Sequence, residues 1–173
     1  RQDHNEGTGV RVYQPGVAFA CDLQGIINPK SRNGETGEFY FIDMGTGFRK
    51  RFGKTGRKVS IKQALGLWVV LMLSHGHKPQ ICYHDAGSVE MGQEFKEACA
   101  QYGITCMATP PGEPQRTIER AVQTHKEDVA AVLASTPSLT NQDWDIAGDF
   151  TDLVRNTMSN AKSKLIHPTK SAY

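Results

Sequence analysis

The chain has 173 residues, of which 38% are hydrophobic and 22% are charged, with a net charge of +2. This composition excludes a disordered or fibrous chain and fits one domain with its own core. The longest apolar stretch, Ala64 to Leu73, is too short to span a bilayer, so we expect no membrane partner. Because the first residue is Arg rather than Met, we take the sequence as part of a longer protein.

The hydrophobic pattern predicts an α/β domain in which three early strands precede alternating helices and strands. We assign residues 1–15 to an N-terminal tail or linker and residues 16–173 to one domain. The predicted strands are Val17–Leu23, Glu38–Met44, Phe48–Phe52, Pro79–His84 and Ile104–Ala108. The predicted helices run from an N-cap at Ser60 to about Ser74, from Glu90 to Tyr102, from Pro114 or Gln115 to about Ala134, and from Gln142 to Lys164. This order implies a mixed five-stranded sheet with helices on both faces.

The cysteines are spread through the sequence without CxxC spacing. They are Cys21, Cys82, Cys99 and Cys106. We expect buried free thiols in a reducing, intracellular compartment, with disulfides or zinc as the alternatives. His75 and His77 lie in a turn that ends a predicted helix, and we expect them to be structural rather than zinc ligands.

Three acidic residues occupy positions that suit a metal site. Asp22 and Asp85 each end an apolar run that predicts a strand, and Glu119 lies near the start of a predicted helix. If the two strands are neighbours, these carboxylates can converge on a pair of hard divalent cations, which prefer oxygen ligands. A solvated surface acid or a helix cap is the alternative for each residue taken alone.

Two groups of polar residues are candidates for binding DNA. The first is a run without acidic residues, and its basic members are Arg49, Lys50, Arg51, Lys54, Arg57 and Lys58. These residues are expected either to contact phosphates or to protect an edge strand against aggregation. The second group lies on the helix of Glu119 and comprises Gln115, Arg116, Gln123 and Lys126. For Lys126 a solvated surface position is the alternative.

Several ordered segments resemble one known family. One such segment runs from Asp85 to Glu90 and is followed by Glu94-Phe95. It is similar to the family's Asp-Asn-Gly segment, which precedes a Glu-Phe pair. Two further pairs resemble the Pro-Gln and Glu-Arg pairs that bracket the family's third carboxylate. They are Pro114-Gln115 and Glu119-Arg120. The other similar segments are Ile27 to Gly34, then Trp144, Ala147 and Asn156, and finally His167-Pro168-Thr169. Together they resemble the catalytic core of retroviral and copia-like retrotransposon integrases.

This resemblance implies a ribonuclease-H-like fold and a metal-dependent polynucleotidyl transferase. Asp22, Asp85 and Glu119 would hold two Mg²⁺ or Mn²⁺ ions, with Asp22 bridging both. The implied reactions are 3′-end processing by water and DNA strand transfer by a 3′-hydroxyl. The implied partners are the element's DNA ends and target DNA, within a homodimer or higher oligomer of the nucleus and cytoplasm.

The sequence departs from the family pattern in two places. Ala86 stands where the family has Asn, and only 33 residues separate Asp85 from Glu119, slightly fewer than the family's usual gap. The missing residues would shorten the loop before the catalytic helix. A domesticated or decayed module that binds nucleic acid or protein without catalysis is therefore the alternative. A nuclease of the same fold that cuts RNA–DNA hybrids is a further one.

Overall fold

The sheet has the five strands that the sequence predicts. In the computed structural model, residues 13–55, 60–84, 92–108 and 113–158 are described, with only the backbone described for 113–115. The strands are β1 (Ala18–Gln24), β2 (Gly37–Asp43), β3 (Arg49–Lys54), β4 (Ile81–His84) and β5 (Thr105–Ala108). Their order across the sheet is β3-β2-β1-β4-β5. Strand β2 is antiparallel to both of its neighbours, β1 and β3, and β4 and β5 continue the sheet in parallel with β1. The predicted mixed sheet is confirmed.

Four α-helices accompany the sheet in the described ranges. They are α1 (Ile61–Ser74), α2 (Gln93–Gln101), α3 (Glu113–Ser135) and α4 (Trp144–Thr157). Ser60 caps α1 as predicted, because its side chain accepts a hydrogen bond from the Gln63 amide. None of the helices in these ranges is long and apolar enough to cross a membrane.

The last helix differs from its prediction. A short 3₁₀ turn (Asn141–Asp143) precedes α4, and α4 ends at Thr157 rather than at Lys164. The Thr157 hydroxyl donates to the carbonyl oxygen of Val154 at 2.8 Å, and Met158 has an extended backbone. Polar residues with short side chains compete with the helix for backbone hydrogen bonds in this way. Residues 159–164 of the predicted helix lie outside the described residues.

The helices cover both faces of the sheet, as predicted. On one face, Phe19 packs with Trp68 of α1 and with Phe95 of α2 in an apolar core. On the other face, Ala20 belongs to a second core that includes Ile118 of α3. Successive side chains of β1 therefore alternate between the two cores, as the pleat of a strand requires.

Helix α4 runs beside the outer strand of the sheet. The Arg49 amide donates to Asn156 Oδ1 at 2.9 Å, and Asn156 Nδ2 donates to the Arg49 carbonyl at 2.8 Å. The Arg51 amide donates to Asp152 Oδ2 at 2.7 Å. These side chains of α4 take up backbone groups of β3 that a sixth strand would otherwise pair. The indole of Trp144, at the start of α4, also donates to the Pro29 carbonyl at 2.9 Å.

The described fold includes part of the segment that the sequence assigns to the tail. Tyr13 packs edge-on against Tyr83 of β4, with ring centroids 6.1 Å apart. Residues 1–12, the rest of the predicted tail, lie outside the described residues.

Candidate active site

The pairing of β1 with β4 decides whether the first two carboxylates can meet. These strands are adjacent and parallel, and Cys21 is the register partner of His84. In the sequence, Asp22 follows Cys21 and Asp85 follows His84. The adjacency of the two strands, on which convergence of the carboxylates depends, is therefore present. Asp85 itself lies outside the described residues, together with 86–91.

Asp22 is half-buried on the face of the sheet that α3 covers. Its register partner is Tyr40, which belongs to the same apolar core as Ile118 of α3. Asp22 Oδ1 accepts a hydrogen bond from the Leu23 amide at 2.8 Å, and Oδ2 accepts one from Gln24 Nε2 at 2.9 Å. An ionised carboxylate has about four lone-pair sites, so these two bonds orient the group and leave acceptor capacity for a cation.

Glu119 lies on the exposed side of α3, next to the buried Ile118. Three other exposed residues, Arg116, Gln123 and Lys126, lie on the same stripe of the helix as Glu119. The intervals from Arg116 to Glu119, to Gln123 and to Lys126 are three, four and three residues, which is the spacing of one helix face. Gln123 Nε2 donates to Glu127 Oε1 at 2.7 Å. The side chain of Gln115, the remaining member of the predicted DNA-binding group, lies outside the described part of the helix.

The predicted phosphate contact does not hold for Arg51, because its side chain points into the protein and is only 2% exposed. Its Nε donates to Glu38 Oε2 at 2.8 Å, and its Nη1 donates to the Asp145 carbonyl at 3.0 Å. A further ion pair joins its Nη2 to Glu35. Arg51 is therefore a structural residue of β3 and is not one of the candidate DNA-binding residues.

The other basic residues of this run have mixed surroundings. Lys50 Nζ forms an ion pair with Asp149 at 2.6 Å, and Lys54 Nζ lies 6.0 Å from the centre of the Phe39 ring. Arg49 has two buried side-chain nitrogens, Nε and Nη1, without a hydrogen-bond partner among the described residues. Arg57 and Lys58 lie outside the described residues. Because β3 is an edge strand, the alternative role in protecting that edge stays open.

Solved structures with similar folds are retroviral integrase cores. The chain aligns with the HTLV-2 integrase catalytic core domain in complex with magnesium, in its dimeric form, at 19% identity and a TM-score of 0.62. That alignment covers 86% of this chain and 92% of the other. The trimeric form aligns at 17% identity and a TM-score of 0.64, over 94% and 97% of the two chains. This chain has the integrase core fold.

A third similar structure comes from a larger assembly. It is the simian T-cell lymphotropic virus intasome in complex with PP2A regulatory subunit B56 gamma, with 19% identity and a TM-score of 0.65. The alignment covers 91% of this chain and 57% of that chain. No protein-family model matches the sequence, and no curated protein matches it significantly. At these identities the comparisons establish the fold, and the predicted ribonuclease-H-like architecture is confirmed.

Within the integrase core fold, a buried ionic cluster lies between the sheet and helices α3 and α4. His125 Nε2 is 3.2 Å from Glu38 Oε1, and His125 Nδ1 is 3.4 Å from Asp152 Oδ1. Tyr40 donates to the same Asp152 oxygen at 3.2 Å. Burial by itself lowers the pKa of His125, but hydrogen bonds and charges from Asp152 and Glu38 raise it to about 9. Burial raises the pKa of Glu38, yet His125 and Arg51 hold it below its usual range.

Sequence reasoning did not find this cluster. Glu38 is a charged residue in the mostly apolar strand β2, and that irregularity is the signal that could have indicated it, whereas β3 is rich in basic residues and gave no such signal for Arg51. The buried stripe of α3 contains Ile118, Ala121 and Val122, and His125 is the next residue at the same helical spacing. Its burial could therefore have been predicted from the helical period.

The four cysteines are free, as predicted, but the fold brings them together. Cys21, Cys82 and Cys99 are buried and Cys106 is half-buried. The sulfur atoms of Cys21 and Cys82 are 3.5 Å apart. The sulfur atoms of Cys82, Cys99 and Cys106 all lie within 4.8 Å of one another. Spacing along the sequence could not show this convergence, because the residues come from β1, β4, α2 and β5.

Proposed function

We propose that this chain is the catalytic core of a copia-like retrotransposon integrase, a metal-dependent polynucleotidyl transferase for 3′-end processing and DNA strand transfer. The observation that supports it best is the parallel pairing of β1 with β4, in which Cys21, the residue before Asp22, is the register partner of His84, the residue before Asp85 in the sequence. Glu119 belongs to α3, the helix that packs on the Asp22 face of the sheet. The integrase core fold supports the same proposal.

The donor chemistry of the three acidic residues fits the implied metal ions. Asp22, Asp85 and Glu119 offer carboxylate oxygens, the ligand type that Mg²⁺ and Mn²⁺ prefer. These residues would hold two ions. When bound, such a pair supplies charge stabilisation for the attacking and leaving oxygens of an in-line phosphoryl transfer.

The chain's own residues would orient the site and hold the substrate. The Leu23 amide and the Gln24 side chain fix the rotation of the Asp22 carboxylate. Arg116 and Lys126 carry positive charge on the exposed stripe of α3, where they would contact the DNA backbone in a salt-dependent manner. The nucleophile is water for end processing and a DNA 3′-hydroxyl for strand transfer, so no side chain becomes joined to DNA.

We also propose that the chain binds element ends and target DNA as a homodimer or higher oligomer, in the nucleus and cytoplasm. The similar HTLV-2 integrase cores occur in a dimeric and a trimeric form, and the third similar structure is an intasome; these assemblies support the proposed oligomer.

A disintegration assay on branched DNA with Mg²⁺ or Mn²⁺ tests the catalytic proposal. The wild-type chain is expected to resolve the branched substrate, and Asp22→Asn, Asp85→Asn and Glu119→Gln are each expected to reduce the rate to background. Glu97→Gln is the matched control, because Glu97 is an exposed acid on α2 that pairs with Gln93. Equal activity of Glu119→Gln and wild type would refute the assigned role.

A non-catalytic module that binds nucleic acid is the second candidate. Both carboxylate oxygens of Asp22 already accept hydrogen bonds from its own strand, an arrangement that a purely structural aspartate would also show. An inactive wild-type chain that still binds DNA with a clear salt dependence would favour this candidate. A chain that neither reacts nor binds DNA would refute both.

A further inference from the structure

We propose that Cys82, Cys99 and Cys106 form a binding site for a thiophilic metal ion, with Zn²⁺ as the expected ion. This site is separate from the three carboxylates, and the inference does not depend on integrase activity. It rests on the convergence of thiols from three elements, which are β4, α2 and β5.

The spacing of the sulfur atoms suits a small ion. All three sulfurs lie within 4.8 Å of one another. Zn–S bonds of about 2.3 Å in a tetrahedral site place the sulfurs about 3.8 Å apart, so each pair must approach by about 1 Å at most. Cys21, whose sulfur is 3.5 Å from that of Cys82, is the nearest additional thiol.

The surroundings select a soft cation over a hard one. Cys82 and Cys99 belong to the apolar core that contains Phe95, and among the described residues this group offers sulfur rather than carboxylate oxygen. Thiolates favour Zn²⁺ and Cu⁺ over Mg²⁺. Lys96 is close enough for its charge to act on Cys106, and it would offset part of the excess negative charge of three thiolates around one divalent ion.

An ion can reach the site from the edge of the sheet. Cys106 is half-buried on β5, the outermost strand on that side, whereas Cys82 and Cys99 are buried. Three protein ligands leave a fourth position for water or for Cys21. Each thiol that is protonated before binding gives its proton to the buffer when the metal–sulfur bond forms.

The ion would hold together the part of the sheet that leads to the active site. Strand β4 ends at His84, the residue before Asp85 in the sequence, and β5 is the element before α3 along the chain. Metal binding should therefore raise the thermal unfolding temperature of the chain, because the ion binds the folded state and joins three elements.

The test uses the full reduced chain, with Cd²⁺ as a spectroscopic probe and Zn²⁺ for stoichiometry. We expect one Zn²⁺ per chain after gel filtration, and an ultraviolet sulfur-to-Cd²⁺ charge-transfer band that saturates at one equivalent. Cys106→Ser should weaken Cd²⁺ binding at least tenfold. His75→Ala and Glu119→Gln are the controls for binding at surface histidines and at the carboxylates, and both should leave the band unchanged.

A second measurement on the wild-type chain covers the case in which Cys106→Ser fails to fold. Alkylation with iodoacetamide, followed by mass spectrometry, should modify Cys106 first, and Zn²⁺ should slow that modification at least tenfold. The absence of a charge-transfer band, an unchanged band in folded Cys106→Ser, or equal alkylation rates with and without Zn²⁺ would each overturn the proposal.

Discussion

The buried histidine of α3 makes a quantitative prediction about stability and pH. His125 is 3% exposed and lies between Glu38 and Asp152, which raise its pKa from 6.5 to about 9. A shift of roughly 2.5 units at about 1.36 kcal/mol per unit corresponds to about 3 kcal/mol of folding free energy. Because the protonated form is favoured in the folded chain, this stabilisation is fully present below pH 6.5. It is lost as the pH rises from 6.5 through about 9.

The assay is urea unfolding of wild type and His125→Gln, followed by circular dichroism at several pH values between 6 and 10. The free energy of unfolding of wild type should fall by about 3 kcal/mol across this range relative to the variant. Subtracting the variant removes the contributions of other groups that titrate in the same range. His75→Ala is the matched control, since His75 is exposed and its Nδ1 is within 2.8 Å of the Leu71 carbonyl oxygen.

Two outcomes would refute this reasoning. If His125→Gln keeps the same pH dependence as wild type, the carboxylates do not hold a proton on His125. If His75→Ala removes the dependence instead, the titrating group lies in the turn after α1 rather than between the sheet and helices α3 and α4.

Three further substitutions test the packing by urea or thermal unfolding. Arg51→Ala should cost about 3–5 kcal/mol because it removes one of the two cations that pair with the buried Glu38 and leaves His125 as the other, and a loss below about 1 kcal/mol would contradict the buried pair. Asn156→Ala should cost about 1–3 kcal/mol because both backbone groups of Arg49 lose their partner, and no loss would show that water replaces the amide. Gly37→Ala should lower the unfolding temperature, since its Cβ would lie 2.8 Å from two backbone carbonyl oxygens; an unchanged temperature would show that the strand shifts freely.

Local patterns were sufficient for most of the secondary structure. Ser60 and the apolar face after it predicted α1, because a capping side chain and a helical period act within one or two turns. The predicted end of the last helix was wrong, because the backbone leaves the helix at Met158. The inward orientation of Arg51 was also missed, since a basic residue on a strand is ordinarily exposed and its acidic partners come from elsewhere in the fold.

Only the part of the candidate site that depends on the order of the strands could be predicted from the sequence. Asp22 and Asp85 were expected to come together because both end strands, and the adjacency of those strands depends on the general pattern of the fold. The grouping of Cys82, Cys99 and Cys106 was not predictable in the same way. It depends on which face of each element is inward and on the approach of α2 to two strands, and these are tertiary properties.

The contacts between α4 and β3 have a consequence for synthesis of the chain. Asn156 lies 107 residues after Arg49, the residue whose backbone it pairs, so the partner of β3 is made long after the strand itself. A nascent chain that has already formed the sheet would present the open backbone of β3 until α4 leaves the ribosome. We therefore expect ribosome-bound chains that stop before Asn156 to recruit chaperones, and those long enough for the whole of α4 to have left the ribosome to release them.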